Sequence, residues 1–203
     1  AKPIGPNLLR NPSFENGYYH HQNRPELAIP NEWEFWFADN NTPFIERQDQ
    51  NWDPPEIVVW NIKDAPEHEK SLFFRDGSFC LKGFGGWKAI RFKLSQQVNG
   101  LTPGERYRLT VPIYPDLVVE YAESGKIFAS DVLSGEVRLS AAEGDTVKAD
   151  SGYLNGGKFR FGAQNDLTFD FEATAPSMTL AIECRGRWGL VNNGWFLDAV
   201  SLQ

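Results

Sequence analysis

The sequence predicts an all-β domain, a sandwich or a barrel, on three observations. Aromatic residues make up 14% of the 203 positions, with 15 Phe, 7 Trp and 6 Tyr against a single Met, a composition suited to pleated, half-buried surfaces. Eighteen Gly and 13 Pro punctuate the chain with turns. Between those turns apolar and polar residues alternate over short runs, which is the strand period.

Taken in order, residues 1–6 read as an extended lead-in because Pro3 and Pro6 exclude helix and central strand. Leu8-Leu9 begin the first strand and Asn11-Pro12-Ser13 make a turn. Residues 18–30 are polar and irregular. Trp33, Phe35 and Phe37 then alternate with Glu34, Trp36 and Ala38, a strand. Residues 39–56 read as a long loop, and Ile57-Val58-Val59-Trp60 as a β-branched strand. After the charged connection 61–70, strands are expected over 78–82, 90–98, 106–114, 131–141, 167–173, 178–184 and 195–202, with a short apolar run at 71–74. Gly144, Gly152 and Asn155-Gly156-Gly157 mark turns. About ten strands emerge, with no amphipathic helix and no internal repeat. The whole of 1–203 reads as one domain with a loop-rich insertion at about 18–70, and long loops in compact domains are usually functional or disordered.

A net charge of −7 and no Lys/Arg cluster argue against nucleic acid and other anionic polymers as partners. No apolar run is long enough for a membrane span. Cys80 and Cys184 are the only cysteines. They fit one disulfide or two buried thiols, and their spacing fits no metal motif.

The chain opens Asn7-Leu8-Leu9-Arg10-Asn11-Pro12-Ser13-Phe14-Glu15-Asn16-Gly17 and closes Gly194-Trp195-Phe196-Leu197-Asp198-Ala199-Val200-Ser201-Leu202. Between them stands Gln97-Val98-x-x-Leu101-Thr102-Pro103-Gly104-x-x-Tyr107-Arg108-Leu109. In order and spacing these segments resemble the galactose-binding-like jelly rolls among carbohydrate-binding modules, of the cellulose- and xylan-binding families 4, 9 and 22. The resemblance implies a β-sandwich jelly roll that binds without catalysis. It implies an extracellular or cell-surface setting within a larger protein, with a neutral polysaccharide or other glycan as partner. It also implies a structural Ca²⁺ between the chain ends, with Glu15 and Asp198 as carboxylate ligands. Hard oxygen donors suit that ion. Carbonyls of Asn11–Ser13 or of the Asp76-Gly77-Ser78 turn would complete the shell. The departure from the family pattern is the long 18–70 stretch, which could occlude a sugar groove.

Sugars present apolar C–H faces to aromatic rings and hydroxyls to polar rims. Trp52 lies in the polar loop Asp49-Gln50-Asn51-Trp52-Asp53, Trp87 follows Gly85-Gly86, and Trp188 follows Arg185-Gly186-Arg187. These three are the stacking candidates. Trp33, Trp36, Trp60 and Trp195 sit in strand patterns and are assigned to the core. For the rim, Gln97 (or Gln96), Arg91, Arg108, Tyr114 and Arg138 lie on strands that could line the concave sheet of families 4 and 22. Alternation turns Arg108 away from Tyr107 and Leu109. Adjacent His20 and His21, with His68, read as loop residues. Glu32, Glu34, Asp39, Glu46, Asp49, Asp53 and Glu56 supply acids for a glycosidase pair. No nucleophile elbow, zinc-peptidase helix or phosphate loop accompanies them, so no catalytic residue is assigned. A structural or adhesion domain of a surface or phage protein is the alternative reading.

Overall fold

The computed structural model describes residues 5–44, 46 and 50–203. The expected lead-in over 1–6 and the candidate acid Asp49 lie largely or wholly outside them. The strands are β1 (Tyr18–His20), β2 (Ala28–Pro30), β3 (Glu34–Phe37), β4 (Glu56–Asn61), β5 (Phe79–Gly85), β6 (Ile90–Val98), β7 (Arg106–Ala122), β8 (Gly125–Phe128), β9 (Gly135–Glu143), β10 (Thr146–Asn155), β11 (Asn165–Glu172), β12 (Met178–Gly186), β13 (Asn192–Leu197) and β14 (Ser201–Leu202). One helix, α1 (Glu67–Phe73), precedes β5.

Two antiparallel sheets face each other. The first has the order β10-β9-β12-β6-β3, and the second β11-β7-β13-β5-β4, with β8 and β14 also on β7. β1 and β2 form a separate hairpin. Alternation fills the space between the sheets. Ile90, Phe92, Leu94 and Val98 from β6 and Val137, Leu139 and Ala141 from β9 meet Leu109, Val111, Ile113 and Trp195 from the second sheet. A second cluster lies on the far side of the second sheet, where Phe73 of α1 stacks on Phe196 at 3.6 Å over Cys80 and Tyr114. The apolar run expected at 71–74 is therefore the end of a helix that roofs this face.

Several elements differ from expectation for identifiable reasons. β7 continues past Pro112 and Pro115 although proline cannot donate to a ladder. Each proline sits where a partner strand is interrupted. The Pro112 carbonyl receives the Asp198 N–H at 3.4 Å between β13 and β14, and the Pro115 carbonyl receives the Gly162 N–H at 2.8 Å before β11 begins. The closing strand breaks at Asp198–Val200, where Ala199 takes a left-handed φ of +52°. Leu8 is not a strand residue, and its N–H bonds the Leu202 carbonyl. β8 and β10 carry short or Gly-interrupted patterns, and sequence periodicity did not reveal them.

The two cysteines are free. Cys184 points from β12 into the inter-sheet core and Cys80 from β5 into the layer under α1. Burial pushes both thiols well above the ordinary range.

Candidate glycan-binding trough

The outward face of the first sheet is an array of side chains set by register. One row across the strands reads Trp36, Lys93, Glu183, Arg138, Tyr153, and the next Glu34, Ser95, Ala181, Ser140, Asp150. A third holds Gln97, Thr179, Ala142 and Val147. The small residues Ser95, Ala181, Ser140, Ala142 and Thr179 leave a depression bounded by the larger ones, a trough of about 460 Å³. It crosses from β3 to β10, four strand spacings or roughly 19 Å.

Its charges are balanced, with Arg91, Lys93 and Arg138 against Glu34, Asp145 and Glu183. Arg91 donates to Glu183 at 2.6 Å and the Tyr153 hydroxyl donates to the other Glu183 oxygen at 2.9 Å. Arg138 pairs with Asp150, which holds that carboxyl below its usual range. Burial, then the Glu183 charge, pushes the Tyr153 phenol up. Arg91 and Lys93 lie over the Trp36 ring at 5.3 and 5.7 Å, within cation–π range. Beyond the trough the same face is closed. Arg185 and Arg187 share buried Glu136, and Glu46 from the 39–56 loop caps both arginines.

The candidate stacking residues separate. Trp52 is only 1% exposed, which corrects the expectation of an open ring. The loop folds back, with Phe44 N–H on the Gln50 carbonyl, so that Trp52 stacks on Phe44 at 3.8 Å. Both rings pack with Ala38 and Ala89. Trp87 is 72% exposed and Trp188 half-buried, but neither lines the trough. Trp36, assigned to the core, is 40% exposed and lines it. Its neighbours Phe35 and Phe37 face inward, so alternation in fact turned Trp36 out.

Among the polar candidates, Arg91 and Arg138 line the trough. Gln97 shares its face but lies at the margin, donating to the Ser177 hydroxyl at 2.6 Å. Arg108 does not belong to it. It pairs with Asp170 on the second sheet at 2.6 Å. Gln96 is buried and bonds backbone of Arg10 and Glu32, and Tyr114 lies under α1. Glu34, considered only as an acid for a glycosidase pair, also lines the trough. Lys93, Ser95, Ser140, Tyr153 and Glu183 were missed, because single alternating polar residues carry no local signal.

Glu15 and Asp198 reach the same turn from the two chain ends. Glu15 accepts the N–H groups of Ser78 and Phe79, both at 2.8 Å. Asp198 accepts those of Arg75, Asp76 and Ala199 at 2.6, 2.9 and 2.7 Å. Gly77 is required here, since a Cβ would collide with the Glu15 carboxylate. The charge of the pair suits a calcium ion. The N–H groups already engage Glu15 Oε1 and both Asp198 oxygens, so an ion there would share these carboxylates with the turn. The Asn11 carbonyl is also occupied, by Phe14 N–H and Trp33 Nε1–H. No group of three or more metal-ligating side chains occurs among the described residues.

No family model matches the chain, and no curated protein matches it in sequence. Solved structures do match. A family 61 carbohydrate-binding module in complex with β-1,4-galactotriose (TmCBM61) aligns over 98% of this chain and 99% of that one, with a TM-score of 0.57 at 14% identity. A cyclase from Fischerella sp. TAU, bound to 4-(1H-indol-3-yl)butan-2-one, aligns over 96% and 94%, at 0.55 and 18%. Tailspike protein 4 of bacteriophage CBA120 aligns over 97% of this chain but 21% of its own, at 0.54 and 14%. At these identities the shared property is the fold, an all-β jelly-roll sandwich of the carbohydrate-binding-module type. That fold serves binding modules and enzymes alike.

Proposed function

We propose that this chain is a non-catalytic carbohydrate-binding module that takes a neutral glycan chain in the trough of the first sheet. The observation that carries the reading is Trp36, an open indole at the edge of a charge-balanced, hydroxyl-compatible depression. One sugar ring stacks on Trp36. Glu34, Lys93, Ser95 and Ser140 receive hydroxyls further along. One feature supports a non-catalytic role: both Glu183 oxygens are already engaged within the protein, by Arg91 and by the Tyr153 hydroxyl. The solved module's galactotriose makes β-1,4-galactan one probe, beside β-1,4-glucan and xylan.

The test is affinity electrophoresis of wild type and Trp36→Ala through gels containing each polysaccharide. Retardation that Trp36→Ala removes supports the reading. Free mobility of wild type across neutral glycans of plant, microbial and animal origin sinks it. An extracellular setting within a larger protein belongs to the same proposal and follows from the ligand class.

Calcium is proposed separately at the Glu15–Asp198 clasp. Asp198 is buried with no Lys or Arg in ion-pair range among the described residues. A bound cation would offset that charge. Melting with Ca²⁺ and with EDTA decides it, since coincident curves remove the ion from the account.

A second reading, a protein-binding adhesion domain, draws on the β7–β8 hairpin. There Val119, Tyr121 and Ile127 expose apolar surface, as do nearby Val132 and Leu133.

A further inference from the structure

Trp87 is not explained by the trough, yet its setting is highly constrained. Among the described residues it is the most exposed of the large hydrophobic side chains. It sits on a left-handed backbone, φ +57°, a conformation that a bulky residue adopts only when the surroundings enforce it. Three contacts enforce it. The Trp87 N–H donates to the Leu190 carbonyl at 2.7 Å. Gly189 lies so close to the Trp87 carbonyl that a Cβ would stand 3.1 Å from it. The fully buried Asn193 amide donates to the carbonyls of Lys88 and Gly186, both at 3.0 Å, and of Trp188 at 3.3 Å. Its oxygen is held in turn by Trp195 Nε1–H. Gly186 must be glycine, because a Cβ would overlap the Asn193 side chain.

Asn193 thus staples the β5–β6 turn to the β12–β13 loop, and each of the two carries a tryptophan. We propose that Trp87 is a preorganised second contact for the glycan, outside the trough. The inference rests on the glycan-binding reading. A backbone fixed in this way already presents the ring outward, so less backbone entropy is lost when a sugar face settles on it. A second platform on one polymer raises retention by effective concentration. Lys88 adjoins the ring in a chain of net charge −7, a balance that disfavours an anionic membrane as the partner.

The test uses Trp87→Gly, since glycine accepts a positive φ without strain. Wild type, Trp36→Ala and Trp87→Gly are run through gels containing long-chain β-1,4-xylan or β-1,4-galactan, with melting curves alongside. Trp87→Gly is expected to bind the retained polymer about 10-fold more weakly while melting no lower than wild type, a combination that a packing role does not produce. In Trp36→Ala, the Trp87 indole N–H resonance should still shift on adding polymer. Unchanged retention of Trp87→Gly, beside lost retention of Trp36→Ala, overturns the tip and leaves the trough standing. No retention of wild type overturns both.

Discussion

The two sheets of this sandwich have outer faces built alike and finished differently. On the second sheet, Phe196, Tyr114, Cys80 and Trp60 are roofed by α1 and Phe73 into an apolar layer. Lys82 lies in that layer over the rings of Trp60 and Phe84, and burial lowers its pKa. On the first sheet the corresponding face carries Trp36 among charged and small polar groups and stays open over the trough. Both faces hold aromatic and cationic residues in contact. The difference is whether another segment of chain covers them. An aromatic side chain under a roof contributes stability, and one left open beside polar groups is free to take a ligand.

Phe73→Ala is expected to have the largest effect. Removing a buried phenyl should cost about 3–5 kcal/mol, measured by urea unfolding, with the glycan affinity of the folded protein unchanged. A changed affinity would mean that the roofed face also serves the ligand. Trp36→Ala should do the reverse. Loss of an interface anchor costs about 2 kcal/mol, or about 30-fold in affinity, measured by calorimetry, with little change in melting temperature. If stability fell as much as in Phe73→Ala, Trp36 would belong with the core residues.

The chain-end clasp gives a pH test. Burial pushes the Asp198 carboxyl up to about 6, against the pull of the N–H groups it accepts, whereas the unfolded chain titrates at about 3.9. The native state therefore holds the extra proton in this window. Its contribution to stability is complete below about pH 4 and is lost as pH rises through about 6. Asp116, also raised by burial, acts in the same direction. Asp198→Asn should flatten the slope between pH 4 and 6 in unfolding free energy. An unchanged slope would assign it to other groups. The smallest effect belongs to Arg108→Ala. Its ion pair with Asp170 is exposed, so urea unfolding curves of the variant and wild type should nearly coincide, with retention on glycan gels unaltered.

Much of the fold was legible because local patterns suffice for it. The alternation of Ile90–Val98 and of Leu167–Ala173, and the turn at Leu101-Thr102-Pro103-Gly104, lie where the sequence places them. The trough was legible only in Arg91 and Arg138. Trp36 was assigned inward although the inward positions of its own strand, Phe35 and Phe37, were correctly paired. Trp52 was read as exposed from its polar neighbours, yet Phe44, eight positions earlier, covers it. Tyr153 was invisible because Gly152, at φ +67°, breaks the period of β10 just before it.

By itself the sequence determined the all-β class and the faces of the regular strands such as β6 and β11, because these follow from period two and turn residues, while the resemblance of its terminal motifs implied that the two chain ends meet. Only the tertiary structure decided which outer face is roofed and which is open, that Glu183 is held between Arg91 and Tyr153, and that Asn193 joins two tryptophan-bearing turns. Each of these depends on register between strands distant in sequence, and a one-residue slip would carry every such side chain to the opposite face.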